Sequence, residues 1–133
     1  MIAVLDTNVL IAALVTEGAC SKLLFRARRR DFFLVTSPFI LSEVQRVLAR
    51  KFRASRAENV SAIRLIREAA HRVVEPNVRV ERTCRDPDDD HILACAREAE
   101  AEYLVTGDHD LLVMETFRGT RILTPRDFEL LFA

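Results

Sequence analysis

The stretch Met1-Ile-Ala-Val-Leu-Asp-Thr-Asn8 decides the fold of this chain. Its four apolar residues at positions 2–5 are bounded by polar ones, which is typical of a strand buried on both faces of a parallel sheet. A helix-like apolar pattern begins directly afterwards at Val9. Because the usable crevice of a parallel sheet lies beyond the carboxyl ends of its strands, we expect Asp6 to border that crevice. Asp6 is then either a functional carboxylate or the cap of the following helix.

The rest of the chain alternates between strand and helix patterns. Apolar runs at 32–36, 103–106 and 121–124 predict three further buried strands, and Val78 and Val80 indicate a possible short edge strand. Helical patterns cover residues 19–30, 37–51, 55–72, 92–101 and 125–132. This order predicts one α/β domain over residues 1–133, with a mainly parallel central sheet in a three-layer α/β/α arrangement.

Composition narrows the class of protein. Apolar residues make up 50% of the 133 residues and charged ones 30%, as in globular domains with a real core. No apolar run approaches the roughly 20 residues of a membrane helix, and no secretory signal is visible, so we expect a cytoplasmic protein without a membrane partner. The three cysteines are widely spaced, which argues against a disulfide framework or a zinc site.

The zero net charge conceals an uneven distribution. Residues 1–73 carry 13 basic and 6 acidic side chains, whereas residues 74–133 carry 7 and 14. Arginines cluster at 26–30 and between 46 and 56. Arg28, Arg29, Arg30 and Arg50 are therefore candidates for contact with a nucleic-acid phosphate backbone, and a solvated surface is the alternative explanation.

Acidic residues recur where the predicted strands end. Leu5-Asp6-Thr-Asn8 and Val105-Thr-Gly-Asp108 share one pattern, and Asp86 to Asp90 precede a helix that should begin at the same edge. Glu43 falls at the border of the apolar stripe of the helix at 37–51. Carboxylates brought this close must take up a proton or a cation, and an all-oxygen set suits Mg²⁺ or Mn²⁺. Helix capping and turn formation are the simpler explanations for individual aspartates.

Four motifs together resemble the PIN-domain family. They are the opening Val-Leu-Asp-Thr-Asn-Val-Leu-Ile, the mid-chain Ser-Glu-Val, Arg-Asp-Pro-Asp-Asp-Asp-His-Ile-Leu-Ala-Cys-Ala, and Tyr-Leu-Val-Thr-Gly-Asp-His-Asp-Leu-Leu. The match spans essentially the whole chain and is closest to the toxins of toxin–antitoxin systems that are related to VapC. The resemblance implies a PIN-like fold and a Mg²⁺-dependent ribonuclease.

The resemblance also implies site residues. The acidic quartet corresponds to Asp6, Glu43, Asp90 and Asp108, with Asp6, Asp90 and Asp108 as metal ligands. Asp89 competes with Asp90, because three successive aspartates leave the register ambiguous by one. Asn8 and Thr106 match the small polar positions that orient the acids or water, and Asp86 is an additional acid at the margin.

The resemblance further implies an RNA substrate, a small antitoxin protein as partner, and a homodimer. A stand-alone RNA-processing PIN nuclease and a catalytically inactive partner-binding domain remain as alternatives. Phosphotransfer proteins of similar fold are disfavoured. Asn8 stands where an aspartate-nucleophile phosphatase needs its second aspartate, and neither lysine follows a late strand as a receiver domain requires.

Overall fold

The protein is built around a six-stranded sheet. The computed structural model describes residues 1–76 and 82–132. Its strands are β1 (Ile2–Leu5), β2 (Phe33–Thr36), β3 (Ala70–Val73), β4 (Tyr103–Val105), β5 (Thr116–Phe117) and β6 (Thr120–Leu123). They lie in the order β3-β2-β1-β4-β6-β5, and all neighbours are parallel except β5 and β6.

Helices flank this sheet. They are α1 (Thr7–Val15), α2 (Ala19–Arg28), α3 (Pro38–Lys51), α4 (Arg56–Ala69), α5 (Pro87–Glu98), α6 (His109–Leu112) and α7 (Pro125–Glu129), followed by a 3₁₀ turn at Leu130–Phe132. Helices α1 to α4 pack on one another, whereas α5 packs on β1 and β2. The predicted mainly parallel α/β/α fold is confirmed.

Strand β1 lies at the centre of the sheet because its residues are apolar on both faces. Ala3, Val4 and Leu5 are fully buried, and Val4 pairs with Val35 on one side and Leu104 on the other. This parallel register brings the ends of β1, β2 and β4 to one edge of the sheet, which we call the carboxyl edge. The opposite edge, where these strands begin, is the amino edge.

The helices that begin at the carboxyl edge are capped by residues of the local sequence. The Ser37 hydroxyl accepts a hydrogen bond from the backbone N–H of Ile40 at 3.3 Å, and Pro38 occupies the first position of α3. In the same way, the Asp86 side chain caps α5, and Pro87 occupies the first position of that helix. Helix α5 therefore begins five residues before the predicted position 92, which places the three successive aspartates inside its first turns.

Two strands differ from the sequence expectation. Residues 70–73 form β3 alongside β2, although the apolar pattern predicted a helix to position 72. Only Ala70 of β3 is buried, so this strand is specified by pairing with its neighbour and leaves no strong local signal. The two-residue strand β5 was not predicted, and the possible strand at Val78 and Val80 lies outside the described residues.

Within residues 1–76 and 82–132, no single helix is long and apolar enough to cross a membrane. Only α1 and α2 taken together, which are bent by 96° at their break, reach that length and composition.

Candidate active site at the carboxyl edge of the sheet

Asp6 stands at the end of the central strand and caps α1. One carboxylate oxygen accepts a hydrogen bond from the backbone N–H of Thr7 at 2.7 Å, and the other accepts from the Thr106 hydroxyl at 2.7 Å. Only 6% of the residue is exposed. Burial raises the pKa of Asp6, repulsion from Asp108 and Asp86 adds to this, and the two hydrogen bonds oppose it. Asp6 is thus both a helix cap and a buried carboxylate held in a fixed direction.

Thr106 joins the ends of β1 and β4. Its fully buried hydroxyl donates to Asp6 and accepts from the backbone N–H of Asp108 at 3.0 Å. The side chain of Asp108 in turn accepts from the backbone N–H of Asp110 at 2.9 Å and caps α6. One hydroxyl therefore positions two of the predicted acids relative to each other.

The three successive aspartates of α5 point to different surroundings. Asp89 is 7% exposed, and its Oδ2 is buried without a hydrogen-bond partner. Burial, followed by repulsion from Asp108, Asp6 and Asp86, raises the pKa of Asp89 to about 7. This value indicates that Asp89 shares the electrostatic environment of Asp6 and Asp108.

Asp90 is turned towards the chain that precedes α5. It is 4% exposed, and one of its oxygens accepts from the backbone N–H groups of Thr83 and Cys84 at 2.9 and 2.8 Å. Burial alone would raise the pKa of Asp90, but these two hydrogen bonds outweigh it and the pKa is lowered. The family resemblance favoured Asp90 as the third acid, with Asp89 as the competitor. Asp89 is the one repelled by Asp108 and Asp6, whereas Asp90 holds the backbone that precedes α5.

Glu43 borders the acids from α3. Its Oε1 accepts from the Thr7 hydroxyl at 2.7 Å, and its Oε2 lies 3.4 Å from the Arg46 guanidinium. Arg46 also lies 3.7 Å from Asp88, so it spans the gap between α3 and α5. Burial raises the pKa of Glu43, the Thr7 hydrogen bond opposes this, and nearby Asp88 and Asp6 raise it further.

Thr7 and Asp88 were not selected individually from the sequence, and Arg46 was included only as a member of the arginine cluster between 46 and 56. Arg46 follows Glu43 by three positions on a helix, a spacing at which side chains meet, so a signal for it was present. Two of the predicted accessory residues lie at the rim: Asn8 is exposed in the first turn of α1, and the exposed Asp86 accepts from the backbone N–H of Asp88 at 2.9 Å.

The arginines predicted to contact RNA lie away from the acids. The Arg30 guanidinium donates to the backbone oxygens of Ala27 and Ala69 at 3.2 and 2.6 Å, next to the start of β3 at the amino edge. Arg29 pairs with Asp31 at 3.2 Å. Arg28 ends α2, and Arg50 lies roughly 18 Å along α3 from its first residue, at 1.5 Å per residue. Their contact with RNA stays a prediction.

The acids suit a hard divalent cation in their chemistry. Within residues 1–76 and 82–132, no group of three or more His, Cys, Asp or Glu side chains is placed so that it could hold a metal ion. The donors are nevertheless carboxylate oxygens, one of them is buried and unpartnered, and burial disfavours the charged forms of Asp6 and Asp89. A bound cation would stabilise these charged forms and would give the unpartnered oxygen a partner.

Solved structures with the same fold come from three bacteria. VapBC2 from Rickettsia felis, bound to a promoter DNA fragment, is 14% identical, covers 92% of this chain and 97% of its own, and superposes with a TM-score of 0.65. VapC20 from Mycobacterium tuberculosis, a Sarcin-Ricin loop cleaving toxin, is 17% identical over 90% and 98% of the chains, with a TM-score of 0.61. FitAcB from Neisseria gonorrhoeae is 18% identical, covers 95% of this chain and 99% of its own, and superposes with a TM-score of 0.61. At these identities the likeness shows the fold.

The sequence itself gives the family. No curated protein matches it significantly. The PIN-domain sequence profile matches residues 3–110, which include β1, Glu43, the aspartates of α5 and Asp108. This match, together with the sheet topology and the acids at its carboxyl edge, shows that the chain belongs to the PIN-domain family.

Proposed function

We propose that this protein is a Mg²⁺-dependent ribonuclease and the toxin of a toxin–antitoxin pair. The observation that carries the proposal is that Thr106 links Asp6 to Asp108 through hydrogen bonds at one edge of the sheet of a PIN-domain chain, with the buried Asp89 near enough to be repelled by both. VapC20, which has the same fold, cleaves the Sarcin-Ricin loop, and this supports a ribonuclease activity.

In this proposal Asp6, Asp89 and Asp108 hold the cation and Glu43 borders it. A bound divalent cation supplies an activated water and neutralises charge on the phosphodiester. The residues of the chain provide orientation. Thr106 fixes the carboxylate of Asp6, and Thr7 fixes that of Glu43. Burial raises the pKa of Glu43 above its ordinary value, which makes this carboxylate a stronger base towards a water at the site.

A test of the activity uses a mixed pool of RNA. We expect cleavage with Mg²⁺ or Mn²⁺ and none with EDTA. Cleavage that persists in EDTA would exclude the metal dependence, and absence of cleavage under every condition would favour the inactive partner-binding domain.

Metal binding should also be visible as stabilisation. A ligand that binds only the folded state at 100 times its Kd stabilises the protein by about 2.7 kcal/mol, so Mg²⁺ should raise the melting temperature by several degrees. NaCl at the same ionic strength is the control. If both salts raise the melting temperature equally, the stabilisation comes from screening of the repulsion between carboxylates and not from bound Mg²⁺.

Arg46 is the cation best placed to contact the RNA backbone beside the acids. Its side chain is 49% exposed, and its two ion pairs are long, at 3.4 and 3.7 Å. We expect Arg46→Ala to reduce kcat/KM and to make the slope of log kcat/KM against log salt shallower by about 0.7, the value for one phosphate contact on a single strand.

Arg50→Ala is the matched control for this variant. It removes the same charge from the same helix about 6 Å further along the axis, so an unchanged salt slope in this variant would exclude the predicted contact of Arg50 with RNA. An unchanged slope in Arg46→Ala would show that Arg46 does not contact a phosphate.

The proposal that this protein is a toxin implies an antitoxin protein as its partner. VapBC2 and FitAcB, which have the same fold, are toxin–antitoxin complexes, and this supports a small antitoxin that covers the acids. A basic side chain of the antitoxin would take the place of the cation. The product of an adjacent reading frame should bind the purified protein and inhibit it, and a protein without such a partner would be a stand-alone RNA-processing nuclease. Homodimer formation is part of the same proposal and is tested by light scattering.

A further inference from the structure

A stacked aromatic pair lies beside the proposed active site. The rings of Phe39 and His91 are parallel to within 15°, with their centroids 4.1 Å apart. Phe39 is in the first turn of α3 and His91 near the start of α5, and both are partly exposed. The pair therefore leaves part of an aromatic surface accessible at the carboxyl edge of the sheet, while Phe39 also packs against the hydrophobic core.

Helix geometry connects this surface to the acids. Phe39 precedes Glu43 by four positions on α3, and His91 follows Asp88 by three positions on α5, so each ring shares a helix face with a carboxylate. Arg46 contacts both of these carboxylates. Aromatic surface, cation and acids thus lie together where the two helices meet.

We propose that the Phe39–His91 pair stacks on an unpaired RNA base next to the phosphate that is cleaved. This inference rests on the proposed ribonuclease function and specifies its substrate as single-stranded or looped RNA. Bases inside a duplex are already stacked on their neighbours, whereas splayed bases in loops stack readily on Phe and His side chains. Arg46, next to the pair, would hold the phosphate of the stacked nucleotide.

The chain contains a matched control for this proposal. Phe33 and His71 form a second pair, with centroids 4.5 Å apart and an angle of 36° between the rings. Phe33 is the first residue of β2, so this pair lies at the amino edge, away from the acids. Phe39→Leu and Phe33→Leu remove the same ring at the two edges of the sheet.

The experiment measures Mg²⁺-dependent cleavage of an RNA hairpin whose cleavage position has been mapped in the loop. Base–aromatic stacking contributes about 1–3 kcal/mol per base, so Phe39→Leu should lower kcat/KM on the order of tenfold. Phe39→Tyr should restore it, and Phe33→Leu should leave it unchanged. If Phe39→Leu is unfolded at the assay temperature, His91→Gln takes its place with the same expected loss.

An abasic nucleotide in the substrate separates stacking from packing. An abasic nucleotide at one position beside the cleaved bond should lower kcat/KM of the unmodified protein about tenfold. The same substrate should not lower kcat/KM of Phe39→Leu any further. Equal abasic losses in both proteins, or equal kcat/KM for Phe39→Leu and Phe33→Leu, would overturn the proposal while leaving the ribonuclease intact. An unmodified protein that cleaves no RNA would overturn both proposals.

Discussion

Asp89→Asn is expected to lower Mg²⁺-dependent RNA cleavage by more than about 100-fold. Loss of a residue that only orients metal ligands lowers activity by at most about that factor, so a larger loss indicates a ligand. The variant removes the carboxylate with the buried, unpartnered oxygen, which shares its surroundings with Asp6 and Asp108. A neutral amide does not repel these two acids, so the melting temperature in metal-free buffer at neutral pH should not fall. Cleavage assays and thermal denaturation of the same preparation measure both effects.

Asp90→Asn is the control for Asp89→Asn, because it makes the identical change one residue further along α5. The amide oxygen can still accept from Thr83 and Cys84, but without its charge, at a cost of about 1–2 kcal/mol in unfolding free energy. Cleavage by the folded variant should remain within about threefold. Loss of cleavage in Asp90→Asn with full activity in Asp89→Asn would assign the third acid to position 90.

Asp6→Asn is expected to reduce cleavage as strongly and to leave the protein folded. The amide oxygen can accept from the backbone N–H of Thr7, and the amide nitrogen can donate to the Thr106 hydroxyl, so both contacts of Asp6 have replacements. The stabilisation by Mg²⁺ should shrink with the loss of one anionic ligand. Calorimetric melting with and without Mg²⁺, combined with RNA cleavage, tests this.

Asp31→Asn provides the comparison at the amino edge. Asp31 pairs with Arg26 and Arg29, each at 3.2 Å, so the variant should lower the melting temperature modestly and leave cleavage unchanged. Full cleavage by Asp6→Asn would remove Asp6 from the mechanism, and equal losses in both variants would point to a general effect of stability.

The sequence was sufficient to predict strands β1, β2, β4 and β6 and the segments that carry the acids. Buried parallel strands such as β1 are continuous apolar runs, and polar residues follow them directly. The sequence could not decide between Asp89 and Asp90. Successive helix residues point about 100° apart, so the residue at which α5 begins determines which of the two aspartates faces the sheet. That helix begins five residues before its apolar pattern does, since Asp86 and Pro87 supply its cap.

The arginine clusters show a second limit. A run such as 26–30 has the composition of an RNA-binding segment, but Arg30 donates to backbone oxygens and Arg29 pairs with Asp31. Which edge of the sheet a surface helix residue occupies depends on the length and direction of the helix. Arg46, which is within reach of the acids, and Arg50, which is a turn further away, look alike in the sequence.

The shortness of β5 limits how copies of this protein can associate. With two residues, Thr116 and Phe117, this outermost strand offers too few backbone groups for another chain to add a stable strand there. On that side the sheet is protected against edge-to-edge aggregation. A symmetric assembly is therefore expected to form elsewhere on the surface, and substitutions within β5 should be tolerated by it.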